Sequence, residues 1–368
     1  MDSTHNIKTH ARLFDPFSIR SVTLRNRLMM SPMCQYSSDD GFANDWHLVH
    51  LGARAAGGIG LVCTEAAAVL PEGRISPHDL GLWDDAHIDG LERITRFVRG
   101  QGAVAAIQLA HSGRKGSRRR PWEGGGPAEP GWRTVAPSPI PWDADHPVPA
   151  ALDQEGIDRV VRAFGDAAGR AEQAGFQAVE IHASHGYLIH EFLSPLTNHR
   201  ADRYGGSFEN RIRLLLEVVR SVRSRWPESL PLFVRLSVTD WMEWDEARAG
   251  TPGWTVEQSV RLCRSLEGEG VDVIDCSSGG AVPEQRIEAG SGYQVGFAER
   301  IRRETGLPTV AVGLINQPMQ ADQIVRSGQA DLVAVARQLL RDPHFALRAA
   351  HETRQETEWP PQYLRGSF

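Results

Sequence analysis

Three ring side chains within six residues, His182, His185 and Tyr187, form the densest cluster of proton-handling groups in the chain. They follow the apolar run Ala178-Val179-Glu180-Ile181, which reads as a strand entered from a helix that stops at Gly175. Two imidazoles and a phenol at the C-terminal end of a strand can hold a carbonyl or phenolate oxygen and deliver a proton. Reactions that build negative charge on oxygen need fixed donors of this kind. Two other readings stay open on these residues alone. An H-x-x-H pair is half of a zinc site, with His190 or Glu191 at hand to complete it. A histidine can also be simple packing or surface. The phenol one residue past Gly186 and the downstream Tyr204-Gly205-Gly206-Ser207 favour the donor site.

The elements that must position this cluster recur along the whole chain. Arg27-Leu28-Met29-Met30 opens the series, after a short hairpin at Phe17-Ser18-Ile19 and Val22-Thr23-Leu24. Further strands are expected at 59–65, 104–109, 178–181, 232–238, 271–278, 309–313 and 331–337. Helices are expected at 47–56, 88–100, 153–174, 210–226, 255–267, 295–305 and 319–327. The strands are short apolar runs rather than alternating ones, as in a parallel sheet covered by helices. Eight strand–helix units point to an α/β fold, a single (β/α)8 TIM barrel over residues 1–368. A doubly wound sheet is the weaker alternative, because no G-x-G-x-x-G or P-loop follows the first strand. Residues 1–14 read as a flexible tail. Residues 111–152 are rich in Pro, Gly and Trp and read as a lid after the third strand.

Composition narrows the function classes. The 368 residues carry a formal net charge of -6, which gives no footprint for nucleic acid. No apolar run reaches membrane-spanning length, and the polar start lacks the core of a signal peptide, so a soluble cytoplasmic protein is expected. Cys34, Cys63, Cys263 and Cys276 are spread apart without a C-x-x-C, which argues against a cluster or a disulfide framework.

In a TIM barrel the chemistry gathers at the C-terminal ends of the strands. Those ends here carry Ser31, Pro32, Met33 and Cys34, then Glu65 and Ala66, Gln108 and His111, the ring cluster, Arg235, Ser277 and Ser278, Gly313, and Arg337. Arg235 interrupts an apolar strand, so its guanidinium needs a ligand or an internal acid, with Asp240 and Asp275 as candidates. Gln108 can donate and accept, as the edge of a heterocycle requires. Gly313 and Arg337 suit a phosphate pocket, which in barrels often follows strands seven and eight. The set reads as a mononucleotide lying over the barrel mouth.

Several stretches together resemble the Old Yellow Enzyme family of FMN-dependent ene-reductases, in its bacterial thermophilic-like and xenobiotic-reductase branch. They are SPMCQYS (31–37), EAAAVLPEGRI (65–75), IQLAHSGRK (107–115), HASHGYLIHEFLSPLTNHRADRYGGSFENR (182–211), DLVAVARQLLRDP (331–343) and YLRGSF (363–368). The resemblance implies tightly bound, non-covalent FMN, with Ser31, Pro32, Met33 and Cys34 along the ring and Ala66 and Gln108 contacting it. It implies Arg235 at the N1/O2 side and Gly313, Ala336 and Arg337 at the phosphate. Tyr36, His182, His185, Tyr187 and Arg365 would bind substrate, with Arg365 reaching in from a neighbouring subunit of a homodimer or homotetramer through a docking tail, residues 359–368. Ala336 stands where the family usually has Gly, and the 240–254 loop is longer than the branch leads one to expect.

The implied activity is that of an NADPH dehydrogenase or ene-reductase. NADPH, with NADH as the alternative, reduces FMN. Hydride then passes from flavin N5 to the β-carbon of an α,β-unsaturated carbonyl or nitro compound, and Tyr187 protonates the α-carbon. No metal is implied.

Overall fold

The computed structural model describes residues 11–245 and 253–368. The chain opens with an antiparallel hairpin, β1 (Phe17–Ile19) and β2 (Val22–Leu24), and continues through β3 (Leu28–Met30), α1 (Asp45–Ala56), β4 (Leu61–Ala68), α2 (Ile88–Gly100) and β5 (Val104–Ala110). After the short pair β6 (Val135–Ala136) and β7 (Ala150–Ala151) come α3 (Gln154–Gln173), β8 (Ala178–Ala183), α4 (Leu188–Leu193), α5 (Phe208–Arg211), α6 (Arg213–Arg223) and β9 (Leu232–Ser237). The last third holds α7 (Val256–Gly268), β10 (Val273–Ser277), α8 (Val295–Thr305), β11 (Thr309–Ala311), α9 (Pro318–Arg326), β12 (Leu332–Val335), α10 (Arg337–Arg341) and α11 (Phe345–Glu352).

Strands β3, β4, β5, β8, β9, β10, β11 and β12 pair in that order, all parallel, and β12 returns to β3, closing a barrel. The expected TIM barrel is therefore the observed fold. Helices wrap it with one apolar face inward; on α6 that face is Leu214, Leu215, Val218, Val219 and Val222. Caps fix where helices begin. Asn44 and His47 form a capping box on α1, and Thr255 and Gln258 form one on α7.

Strand alternation stacks the barrel interior in layers, because every second residue of a strand faces the same side. The lowest layers are apolar: Met29, Leu61, Cys63, Val104, Ala106, Ala178, Phe233, Val273, Val310 and Leu332 pack with the hairpin residues Ile19, Val22 and Leu24, which plug the N-terminal end. Two residues further along the line of β3, β5, β8, β9 and β10 the filling turns polar, with Ser31, Gln108, Glu180, Arg235 and Asp275 all buried. Two further still come His182, Ser237 and Ser277 at the rim.

Three expectations need correction or restriction: the N-terminal tail, the helix at 210–226 and the 240–254 loop. The loose tail expected over residues 1–14 is too long. Residues 1–10 lie outside the described residues, but Leu13 is fully buried and its N–H donates to Asp322 at 3.0 Å. The single helix expected over 210–226 is split into α5 and α6 at Ile212, with the last turn frayed. The expected lid, 111–152, is made of short turns and the β6–β7 pair. It is tied down by Trp132 Nε1 donating to the Glu72 carbonyl at 2.9 Å and by Lys115 Nζ donating to the His185 carbonyl at 2.8 Å. Part of the 240–254 loop, residues 246–252, lies outside the described residues.

Candidate active site

The rim cluster is set by a tight crossing of backbone. His185 takes φ 59 and Gly186 φ 73. A Cβ on Gly186 would meet the Gly280 carbonyl oxygen at 1.8 Å, so only glycine fits where the loop after β8 passes the loop after β10. The His185 N–H donates to Ser237 Oγ at 2.9 Å, and Ser237 Oγ donates to the Gly279 carbonyl at 2.7 Å. Lys115 Nζ donates to the His185 carbonyl at 2.8 Å. The turn is thus pinned from three loops.

On this frame the His182 ring lies edge-on to both His185, at 5.2 Å between centres, and Tyr187, at 5.0 Å. The two imidazoles are not equivalent. The Ser184 N–H donates to His182 Nδ1 at 3.3 Å, which assigns the His182 proton to Nε2 as a donor. His185 Nε2 is already engaged with Ser277 Oγ at 2.6 Å. Burial, and after it the Arg235 charge, hold both histidines well below the ordinary imidazole range, so both are neutral near pH 7. Burial pushes the Tyr187 phenol up, so it keeps its proton.

His190 and Glu191, the residues that would complete a metal site, are taken. His190 Nδ1 accepts the Gly186 N–H at 2.8 Å and its Nε2 lies 3.0 Å from Asp240 Oδ1. Glu191 Oε1 accepts the Arg114 N–H at 2.9 Å. Among the described residues no cluster of His, Cys, Asp or Glu could hold a metal ion. Both residues brace the loop that carries the ring cluster.

Arg235 lies between its two neighbours in the ladder, opposite His182 on β8 and Asp275 on β10. Nη1 donates to Ser31 Oγ at 3.2 Å and Nε is 3.4 Å from Asp275 Oδ2. Of the two acids considered from the sequence, Asp275 is the partner. Arg235 also lines a cavity of about 290 Å³, together with His185, Ser277, Gly313, Ala336 and Arg337. Beside the apolar Val312, Leu314, Ile315 and Ala334, polar wall is added by Tyr293, Gln294, Asn316, Gln338 and Arg341. These five were missed, since they lie in loops and first turns that carry no apolar pattern. Ala336 has φ -108, outside the left-handed region, so no positive φ calls for the family's glycine there.

Across the mouth, Met33, Cys34 and Tyr36 lie on the loop after β3. Glu65 steadies that loop by accepting the Gln35 N–H at 2.8 Å, with His47 Nε2 3.2 Å from its other oxygen. Tyr36, at φ 50, packs edge-on against Trp122 at 5.9 Å. Burial pushes the Cys34 thiol up, so it stays protonated. Ala66 and Tyr187 share a small second cavity of about 10 Å³ with Asp79 and Ser112. Gln108 Nε2 donates to Glu180 Oε1 at 2.8 Å in the layer below. Arg365 is exposed on the C-terminal turn and does not line the cavity of its own chain.

Residues 12–356 match the NADH:flavin oxidoreductase / NADH oxidase family. The chain belongs to this family. A curated relative, NADPH dehydrogenase of Geobacillus thermodenitrificans, is 48% identical over 356 residues, covering 96% of this chain and 98% of its own. Among solved structures, morphinone reductase in complex with tetrahydroNAD superposes with a TM-score of 0.75 at 27% identity, covering 96% of this chain and 93% of that one. An Old Yellow Enzyme homologue from Zymomonas mobilis does so with a TM-score of 0.73 at 26% identity, covering 95% and 94%. The Old Yellow Enzyme resemblance therefore holds, and this oxidoreductase uses FMN with a reduced nicotinamide. The residues present fit such a group: a polar cavity is preformed beside a buried guanidinium whose Nε has no hydrogen-bond acceptor.

Proposed function

We propose that the chain is an NAD(P)H-dependent ene-reductase acting on the activated double bond of α,β-unsaturated carbonyl or nitro compounds. The observation that carries this reading is the His182–His185–Tyr187 cluster at the rim, beside the Arg235 cavity. Ser31, Pro32, Met33, Cys34, Ala66 and Gln108 would hold the flavin ring, and Gly313, Ala336 and Arg337 its phosphate. When bound, FMN supplies the two-electron chemistry between the nicotinamide and the double bond. The chain's own part is charge and position. Neutral His182 offers its Nε2 proton to the substrate oxygen. His185 joins it by exchanging Ser277 for that oxygen. As negative charge grows there, both donors gain strength, because they are fixed in place before it appears. Tyr187 holds a proton that burial makes hard to lose to solvent, and gives it to the α-carbon. Arg235 balances negative charge on the reduced ring.

Tyr36, with Trp122 against it, would wall the substrate side. The tail would complete the site of a second copy in a homodimer or homotetramer, with Arg365 above the substrate. Its support is an ordered turn, Pro361–Gly366, with Tyr363, Leu364 and the terminal Phe368 exposed; Tyr363 and Phe368 line a groove against Leu347 and Arg348 of α11. Free thiols at all four cysteines accord with a cytoplasmic enzyme.

The test is Tyr187→Phe in stopped flow. Flavin reduction by NADPH should be unchanged, and reoxidation by an enone should slow about 10²–10⁴-fold. Equal slowing of both half-reactions would remove Tyr187 from the proton step.

A further inference from the structure

The polar layer under the mouth carries more charge than the proposed reaction uses. Glu180, Arg235 and Asp275 are all buried and project from three adjacent strands, β8, β9 and β10. Glu180 Oε1 accepts from Gln108, but Glu180 Oε2, both Asp275 oxygens and Arg235 Nε have no conventional hydrogen-bond partner. Two carboxylates and one guanidinium sealed in a barrel would leave a net negative charge, which burial penalises heavily. One proton placed between Glu180 and Asp275 removes that charge and satisfies an orphaned oxygen on each acid. The acid is then Glu180, donating to an Asp275 carboxylate that faces Arg235.

The surroundings agree with this allocation. Burial, and after it the Asp275 charge, push Glu180 up to about 8. From β4, the Cys63 thiol is pushed up by burial and by the two acids, so it is uncharged. From β8 and its loop, His182 and His185 are neutral, and from β5 Gln108 carries no charge. The layer therefore reduces to one cation and one anion.

We propose that Asp275 is the resident counter-ion of Arg235, with Glu180 as its neutral partner, and that the pair sets how much positive charge reaches the flavin edge. Both are positioning residues that act through Arg235, and the inference rests on the flavin lying over Arg235.

Sulfite reports this field without turnover: it adds reversibly to oxidised flavins as an anionic adduct and bleaches the visible band. In the FMN-loaded enzyme at pH 7, Asp275→Asn, made in a Glu180→Gln background so that Glu180 cannot ionise in its place, should tighten sulfite binding at least about tenfold, because an opposing charge is gone. Glu180→Gln should leave it within about twofold, since a neutral group replaces a neutral group. Asp275 acting only as a brace would give the opposite sign, with a loosened Arg235 and weaker sulfite binding. Unchanged or weaker binding in Asp275→Asn, or equal tightening in Glu180→Gln, overturns the proposal. Arg235→Met separates the two levels. If it leaves sulfite binding unaltered, the flavin does not lie over Arg235 and the site reading fails; if it weakens binding, only the counter-ion question remains, and Asp275→Asn answers it. Should Asp275→Asn lose FMN, the wild type and Glu180→Gln are compared from pH 7 to 9. Only the wild type should gain a second buried negative charge and lose affinity beyond what sulfite's own ionisation causes. Superimposable curves overturn the proposal.

Discussion

The two cavities at the barrel mouth are built on different principles. The one beside Arg235 measures about 290 Å³, is open between the loops after β10, β11 and β12, and is edged by Arg337, Gln338 and Arg341. The one beside Tyr187 measures about 10 Å³, room for about one water, and is walled by Ala66, Ala68, Gly73 and Ala110. The first is space kept for a polar, charged group; the second is space nearly closed by small side chains and fixed donors. Under the proposed function, the first would hold one ligand in a preformed slot and the second would admit another only across a narrow face between packed rings.

Removing the donors breaks the contrast most directly. His182→Ala with His185→Ala should abolish the long-wavelength band that phenols give on binding and slow enone reduction about 10²–10³-fold, as loss of oxyanion donors does. FMN should be retained; its loss would show that the halves are not independent. A spectral titration of the double variant decides. Truncation after Pro361 tests whether the narrow side is complete within one chain. The expected outcome is a substrate KM raised about tenfold, the cost of one lost charged contact, with a weakened oligomer and intact FMN. Sedimentation paired with enone kinetics checks it, and an unaltered KM would leave the tail outside the site.

The buried acids around the ring loop sharpen the comparison through pH. Burial pushes Glu191 up to about 8 and Asp79 up to about 7, so the folded protein binds protons that the unfolded chain has released. Stability from these groups is therefore full below the unfolded carboxylate range and lost as pH rises toward 8. The opposite sign applies to His50, pushed down to about 3, and His111, to about 4, which cost stability below the unfolded imidazole value. Melting temperature should peak on the acid side of neutrality. Glu191→Gln, which keeps an acceptor for the Arg114 N–H, should flatten the alkaline limb by a few degrees in calorimetry. The smallest effect is expected on the wide side. Ala336→Gly should change FMN affinity less than about threefold, because no positive φ at Ala336 calls for glycine. A larger gain, read by flavin fluorescence on dilution, would mean that the methyl crowds the phosphate.

The barrel was legible because each strand is a short apolar run between helical stripes, and neither feature depends on distant residues. The ring cluster was legible because its three members share one strand end. Arg235 was legible as a charge in an apolar strand, but its partner was not: Asp240 and Asp275 look alike in sequence, and only strand register separates them. His190 illustrates the same limit, a candidate ligand by spacing that the fold turns toward Asp240. Tyr293, Gln294 and Asn316 carry no signal, because loop residues acquire meaning only from where closure of the barrel puts them. The 111–152 segment was readable as an excursion but not as packed structure, since its two-residue pairing of β6 with β7 is below any pattern length.

The crossing at Gly186 and Gly280 bears on how such a catalyst can be diversified. A Cβ at either position would sit inside the other loop's backbone, 1.8 Å from the Gly280 oxygen in one case and 2.4 Å from His185 Cα in the other. Neither loop can lengthen, shift or exchange its glycine without unseating the histidine that the crossing fixes. Variation in a library, or in descent, is thereby channelled to the parts of the neighbouring loops that do not touch the crossing, such as the exposed Trp122 stretch of the excursion after β5, away from Lys115. The crossing acts as a hub whose rigidity makes its surroundings free to change.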